Sequence, residues 1–244
     1  MKNIFEEKIK CLRDKKLEQT KEKIRVEGLL DEDDYGRIVP PKGLWSIIPN
    51  HEDGSFYGYD AWADNFCSLM EVHPVYVDTN DAFAGRWMYF MSKMRKNKWN
   101  PAYSYDFLKS NIDKYNIICG IGDDAHFAPD YQLGLSLGWD GIIERINKYK
   151  QINTSPEQQH FYELHLRVVK AIQGWIQRHI DYALELASNE KDEYNKKNLL
   201  DIVEVNKWVK HNPPRTLREA CQWIIWYHLA SRTYNRDGAG GQID

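Results

Sequence analysis

Apolar side chains between residues 156 and 193 recur by three and four, through Phe161, Leu164, Val168, Ala171, Trp175, Ile180, Ala183 and Leu186. That spacing lines up one stripe of a long helix. Ser155 is placed to cap its start, and Pro156 suits the first helical turn. Leu199, Leu200, Val203 and Trp208 predict a shorter helix to Val209, which Pro213 and Pro214 stop. Thr216 and Glu219 then form a capping-box pair before Ala220, Trp223, Ile224, Tyr227 and Leu229. Upstream, Leu133, Leu137 and Ile142 mark another amphipathic helix. Gly134, Gly138 and Gly141 lie along it, where a neighbouring backbone can come close.

The first half is less regular. Residues 1 to about 30 read as a charged helix with Phe5, Ile9 and Leu12 on one side. Asp31 to Asp34 form an acidic loop, and Pro40, Pro41, Gly43 and Pro49 belong to turns. Residues 56 to 110 mix short helical and irregular segments, broken at Pro74 and Pro101. Asp78 to Asp81 supply N-cap chemistry for a helix expected through Phe83, Trp87, Phe90 and Met94. Alternating strand patterns are scarce, and the fold class expected is mainly α.

Composition narrows the function classes. The 244 residues carry 33 basic and 36 acidic side chains, a net charge of −3, which disfavours a general nucleic-acid binder. The basic runs Lys93–Lys98 and Lys148–Lys150 read as solvated faces. No apolar run reaches the ~18 residues of a membrane span, and the charged N-terminus has no signal-peptide core. The expectation is a cytoplasmic protein with no membrane and no nucleic-acid partner. Nine Trp and 15 Tyr point to large buried surfaces or an aromatic-lined pocket. Cys11, Cys67, Cys119 and Cys221 are far apart and make no zinc pattern.

Two loops carry candidate chemistry. Asp123, Asp124, His126 and Asp130 gather in a glycine-containing stretch, where they serve either as a polar pocket edge or as turn and capping groups. One His among Asp residues is a poor metal signal, so no metal ligand is assigned. Asn235, Arg236 and Asp237 precede Gly238-Ala-Gly-Gly, which is either a helix-ending turn or a place for close backbone approach to a ligand. His160, His165, His179 and His228 fall inside helices with no i, i+4 pair among them, as surface or satisfied core histidines do.

Several of these stretches together resemble the glycyl radical enzymes, the pyruvate formate-lyase and diol dehydratase relatives. Asp124-Ala-His-Phe-Ala-Pro-Asp-Tyr131, continuing through Gly138 to Ile142, is similar to that family's GH-x-x-PDY … G-x-x-GI segment. His160-Phe-Tyr-Glu163 and Asn212-Pro-Pro-Arg-Thr-Leu-Arg-Glu-Ala220 follow in the family's order. Residues 118–244 carry the resemblance well and 1–117 only loosely. It implies the N-terminal helical part of a ten-stranded α/β barrel acting on a small-molecule substrate. A glycyl radical, installed by a radical-SAM activase, makes a thiyl radical on a central cysteine in that family. Neither the radical-glycine nor the Gly-Cys-x-Glu pattern occurs here. No catalytic residue is therefore assigned to this chain, and no cofactor is expected to bind it directly. A complementary chain carrying the Cys and Gly motifs is the implied partner.

By the same resemblance His126, Arg236 and Asp237 are the expected substrate-binding residues. Where many relatives have Gly-His-Ser in the final turn, this chain has Arg236-Asp237-Gly238, and Gln242 replaces a usual Arg. The chain thus reads as the front of a larger lyase, dehydratase or decarboxylase, either truncated or one subunit of a split enzyme. The other reading is a non-catalytic helical binding or assembly protein that kept the scaffold.

Overall fold

The structure, a computed structural model, describes residues 4–28, 37–86, 88–89, 91, 106–117 and 129–234. Among the described residues every regular element is helical. Helix α1 spans Ile4–Glu27, α2 Tyr59–Val72, and a short 3-10 turn, Asp106–Leu108, leads into α3, Lys109–Tyr115. The second half is four helices in succession: α4 Tyr131–Ile152, α5 Pro156–Asn189, α6 Glu193–Val209 and α7 Leu217–Tyr234. No helix among the described residues is long and apolar enough to cross a membrane.

Helix α5 is the axis of the packing, lying against α2, α4 and α6, while α7 packs on α4, α5 and α6. Its start is the expected one. Ser155 accepts the Gln158 N–H and the Gln158 side chain accepts the Ser155 N–H, a capping box just ahead of Pro156. Its buried stripe, Ile172, Trp175, Ile176, Ile180, Ala183 and Ala187, keeps the three-and-four spacing through the core. Trp175 and Trp226 are fully buried with ring centroids 5.3 Å apart in an edge-to-face contact. Helix α6 starts earlier than its apolar pattern suggests, because Asp192 caps it by accepting the Asn195 N–H at 2.8 Å. At α7 the pairing of Thr216 and Glu219 is present as expected: Glu219 N–H donates to Thr216 Oγ1 and Thr216 N–H donates to Glu219 Oε2.

Helix α4 is really two helical segments that meet at Gly138, whose φ of 64° and ψ of −179° are not helical. A Cβ there would lie 2.4 Å from the Asn212 carbonyl carbon and 2.5 Å from the Pro213 nitrogen. Only glycine allows both the backbone conformation and that approach. The bend is fastened on the far side by Asp140 N–H donating to the His211 carbonyl at 2.9 Å. Gly134 makes room for the Trp223 ring in the same way, with ring atoms 2.0–2.7 Å from where a Cβ would stand.

One expectation fails at its start. The described part of 82–89 is bend and irregular backbone, so no helix follows directly on Asp78–Asp81, while Met91 is helical. Asp78 and Asp81 do cap backbone groups, at Asn80 N and Phe83 N, but each closes a turn two residues on. Tertiary bonds then take the backbone: Gln222 accepts the Ala84 N–H and donates to the Ala84 carbonyl. Gly85 at φ 103° passes close to Trp226 and Leu229. Trp87, Phe90 and Met94 lie outside the described residues, as do the acidic loop 31–34, the basic run 93–98 and Cys119.

Candidate functional site

The expected substrate residues His126, Arg236 and Asp237 also lie outside the described residues. What the structure does place is the described chain that adjoins both stretches. Asp130, which caps α4, and Tyr234, which ends α7, line one cavity of about 560 Å³. Helices α2, α4, α5 and α7 contribute its walls.

The cavity has a dry floor and a wetter rim. Its floor is Phe66, Trp139, Leu164, Ile172 and Trp223, all at most 5% exposed. The Trp139 and Trp223 rings stack with centroids 5.0 Å apart and 29° between planes. Gly134 lets Trp223 lie that deep against α4. The exposed rim includes Tyr59, Asp130, His165 and Tyr234. Tyr59 meets Phe161 edge-on at 5.5 Å, and Tyr234 lies 4.4 Å from the Trp62 ring.

The polar groups at the rim have unused capacity. One carboxylate oxygen of Asp130 accepts the Leu133 N–H at 2.9 Å, leaving the other without a hydrogen bond among the described residues. His165 donates Nδ1–H to the Phe161 carbonyl at 2.7 Å, and its Nε2 bonds to nothing among the described residues. Tyr227 lines the cavity with a hydroxyl that bonds to nothing among the described residues. Burial, with the neighbouring Tyr131, raises the pKa of Tyr227, so it stays a neutral phenol.

Beside the cavity, Tyr131 donates its hydroxyl to His228 Nε2 at 2.5 Å and so ties the first turn of α4 to α7. Burial lowers the pKa of His228 and Arg232 lowers it further, so the imidazole is the neutral acceptor of this bond. Periodicity could not reveal this pair, because nothing in helical spacing brings residue 131 to residue 228.

The remaining helix histidines are structural, as expected. His160 pairs with Asp60 at 2.5 Å between α5 and α2, and His179 is fully buried with both ring nitrogens satisfied. Cys221, on α7, is half-buried. No cluster of three or more His, Cys, Asp or Glu among the described residues could hold a metal ion.

Residues 118–244, just over half of the chain, match the family described as pyruvate formate lyase-like. The chain belongs to this family. Within the pyruvate formate lyase-like group it is 35% identical over 202 residues to the 4-hydroxyphenylacetate decarboxylase glycyl radical subunit of Clostridioides difficile. That match takes in 77% of this chain and 22% of the relative's length. It is 33% identical over 124 residues to an isethionate sulfite-lyase of Nitratidesulfovibrio vulgaris, covering 47% of this chain and 15% of that one. Among solved structures, a glycyl radical enzyme from Archaeoglobus fulgidus superposes with a TM-score of 0.61 at 17% identity, covering 73% of this chain and 30% of that one. The B12-independent glycerol dehydratase of Clostridium butyricum gives 0.59 at 16% identity, with 72% and 29% covered. These two likenesses are of fold. This pyruvate formate lyase-like chain therefore spans less than a third of the length of each of these proteins.

Proposed function

We propose that this chain is the N-terminal portion, or one subunit of a split form, of a glycyl radical enzyme acting as a lyase, dehydratase or decarboxylase on a small organic substrate. Its share of the work is scaffold and one side of the substrate pocket. The observation that carries this reading is the match of residues 118–244 to the pyruvate formate lyase-like family, supported by relatives that are glycyl radical subunits. The radical glycine and the thiyl cysteine belong to the remainder of the enzyme, a further segment of the same protein or a complementary polypeptide, which also completes the ten-stranded α/β barrel. A radical-SAM activase installs the radical there.

His126, Arg236 and Asp237 face the substrate in this proposal. Its support is the position of the described residues next to them in the chain. His126 lies four residues before Asp130, and Asp237 three residues after Tyr234. Asp130 and Tyr234 both border the same cavity. Chain reach of ~3.5 Å per residue allows all three groups to approach that rim. A cation, an imidazole and a carboxylate in this neighbourhood suit a polar substrate that needs orientation while hydrogen abstraction proceeds elsewhere. The enzyme works in the cytoplasm, without nucleic acid or membrane.

The test is anaerobic reconstitution. This chain, a polypeptide carrying the Cys and Gly motifs and its activase are combined, and the product is read by size-exclusion chromatography and EPR. A joint complex with a glycyl doublet supports the proposal. A chain that stays monodisperse and gives no doublet with any such polypeptide supports a non-catalytic assembly protein instead.

A further inference from the structure

Exposed aromatic side chains stand around the mouth of the cavity between α2, α4, α5 and α7. Tyr59 is 74% exposed, Tyr234 44% and Phe161 38%. Each is held by another ring: Tyr59 meets Phe161 edge-on, and Tyr234 lies against the half-buried Trp62. Tyr59, Trp62 and Tyr234 line the cavity as well, so the patch continues into the buried floor of Phe66, Trp139 and Trp223. Contiguous exposed apolar surface of this kind marks an interaction site. Asp130 and His165 stand exposed at its edge, which gives the polar rim around an apolar centre that protein interfaces share. Tyr and Trp are also the side chains that most often carry binding energy at the centre of such an interface.

We propose that this patch is the face on which the remainder of the enzyme docks, seating apolar side chains of its own over Tyr59, Phe161 and Tyr234 and into the cavity mouth. The inference rests on the proposed function and adds which surface of this chain meets the rest. Two observations favour this occupant. The chain covers 22% of the Clostridioides difficile decarboxylase subunit and 30% of the Archaeoglobus fulgidus enzyme, so on that function most of the enzyme has to be seated against these helices. The same rim is where the described chain adjoins the stretches of His126, Arg236 and Asp237, through Asp130 and Tyr234. A reacting group on the remainder has to come to that rim to meet a substrate held there. Docking on the aromatic patch brings it to that place.

The experiment is thiol footprinting of Tyr59→Cys, with Leu217→Cys as the reference. Leu217 is 81% exposed and opens α7, about 25 Å along the helix from Tyr234. Alkylation of each introduced thiol by N-ethylmaleimide is timed by mass spectrometry of its own peptide, in the 244-residue chain alone and in the complete enzyme. In the chain alone the two thiols are expected to react within about threefold of each other, as exposed thiols do. In the complete enzyme Tyr59→Cys is expected to slow about tenfold or more, with Leu217→Cys unchanged. Phe161→Cys is expected to be protected in the same way, and it replaces Tyr59→Cys if that variant does not fold. Equal rates at residue 59 in the chain and in the complete enzyme, or equal protection at residue 217, would overturn this inference and leave the proposed function standing. Protection already present in the dilute chain would assign the patch to the chain's own segments, and protection that grows with its concentration would assign it to a second copy. Either result overturns the inference. If no complete enzyme forms, the inference and the proposed function fail together.

Discussion

His179, in the middle of α5, accepts the backbone N–H of Tyr76 on Nε2 at 3.1 Å, across 103 residues of sequence. Its Nδ1–H donates to the Trp175 carbonyl, so the ring is held as one neutral tautomer. His73 repeats the arrangement, donating to the Pro74 carbonyl and accepting the Met88 N–H at 3.2 Å. Two buried imidazoles thus pin the irregular stretch after α2 onto the helical core. Stability falls with acid as a consequence. Burial pushes His73 down to about 4 and His179 down to about 3, against 6.5 for the ordinary group. Below pH 6.5 the unfolded chain binds protons that the fold refuses, so the contribution is full above 6.5 and is lost as pH drops toward these values. Urea unfolding at pH 7 and pH 5.5 is expected to differ by about 1.3 kcal/mol for each histidine. His179→Gln, which still accepts from Tyr76 but does not titrate, should remove half of that difference. An unchanged pH dependence in the variant would contradict the assignment.

Gln222 is the matching clamp on Ala84. It accepts the Ala84 N–H at 2.9 Å and donates to the Ala84 carbonyl at 3.0 Å, both groups being buried. Asn206 belongs to the same network, accepting the Trp226 indole N–H at 2.7 Å. Gln222→Leu leaves the Ala84 amide and carbonyl without partners and is expected to cost about 2–3 kcal/mol. Denaturant unfolding gives the loss, and faster hydrogen exchange at the Ala84 amide locates it.

Two glycines separate backbone strain from helix propensity. Gly138→Ala places a Cβ against the Asn212–Pro213 backbone at a φ of 64°, and is expected to cost roughly 2 kcal/mol or more. Gly174, inside α5, has open space where a Cβ would go, so Gly174→Ala is expected to stabilise by about 0.5–1 kcal/mol. Thermal unfolding of the two variants should therefore move in opposite directions.

The four helices from 131 to 234 were legible in the sequence because their signals are local. Ser155 with Gln158, Thr216 with Glu219 and the spacing of the α5 stripe each act within a turn or two. The expected helix after Asp78–Asp81 was not, because its outcome is decided from far away by Gln222 and His73. The same physics hid most of the site. Trp139 on Trp223, Tyr131 on His228 and Gly134 under an indole ring are meetings of α4 with α7, with some 90 residues between them. Motif order, in contrast, pointed correctly to the family, whose match over 118–244 takes in Asp130-Tyr131 and Asn212 to Ala220 even where their contacts are long-range.

The central claim is that this chain orients substrate while the radical resides on the remainder of the enzyme. The most direct measurement compares the reconstituted anaerobic complex made with the wild-type chain and with His126→Ala, reading the glycyl EPR doublet and substrate turnover together. The account predicts an undiminished doublet with turnover reduced about 100-fold or more. Equal turnover in the two complexes would contradict it.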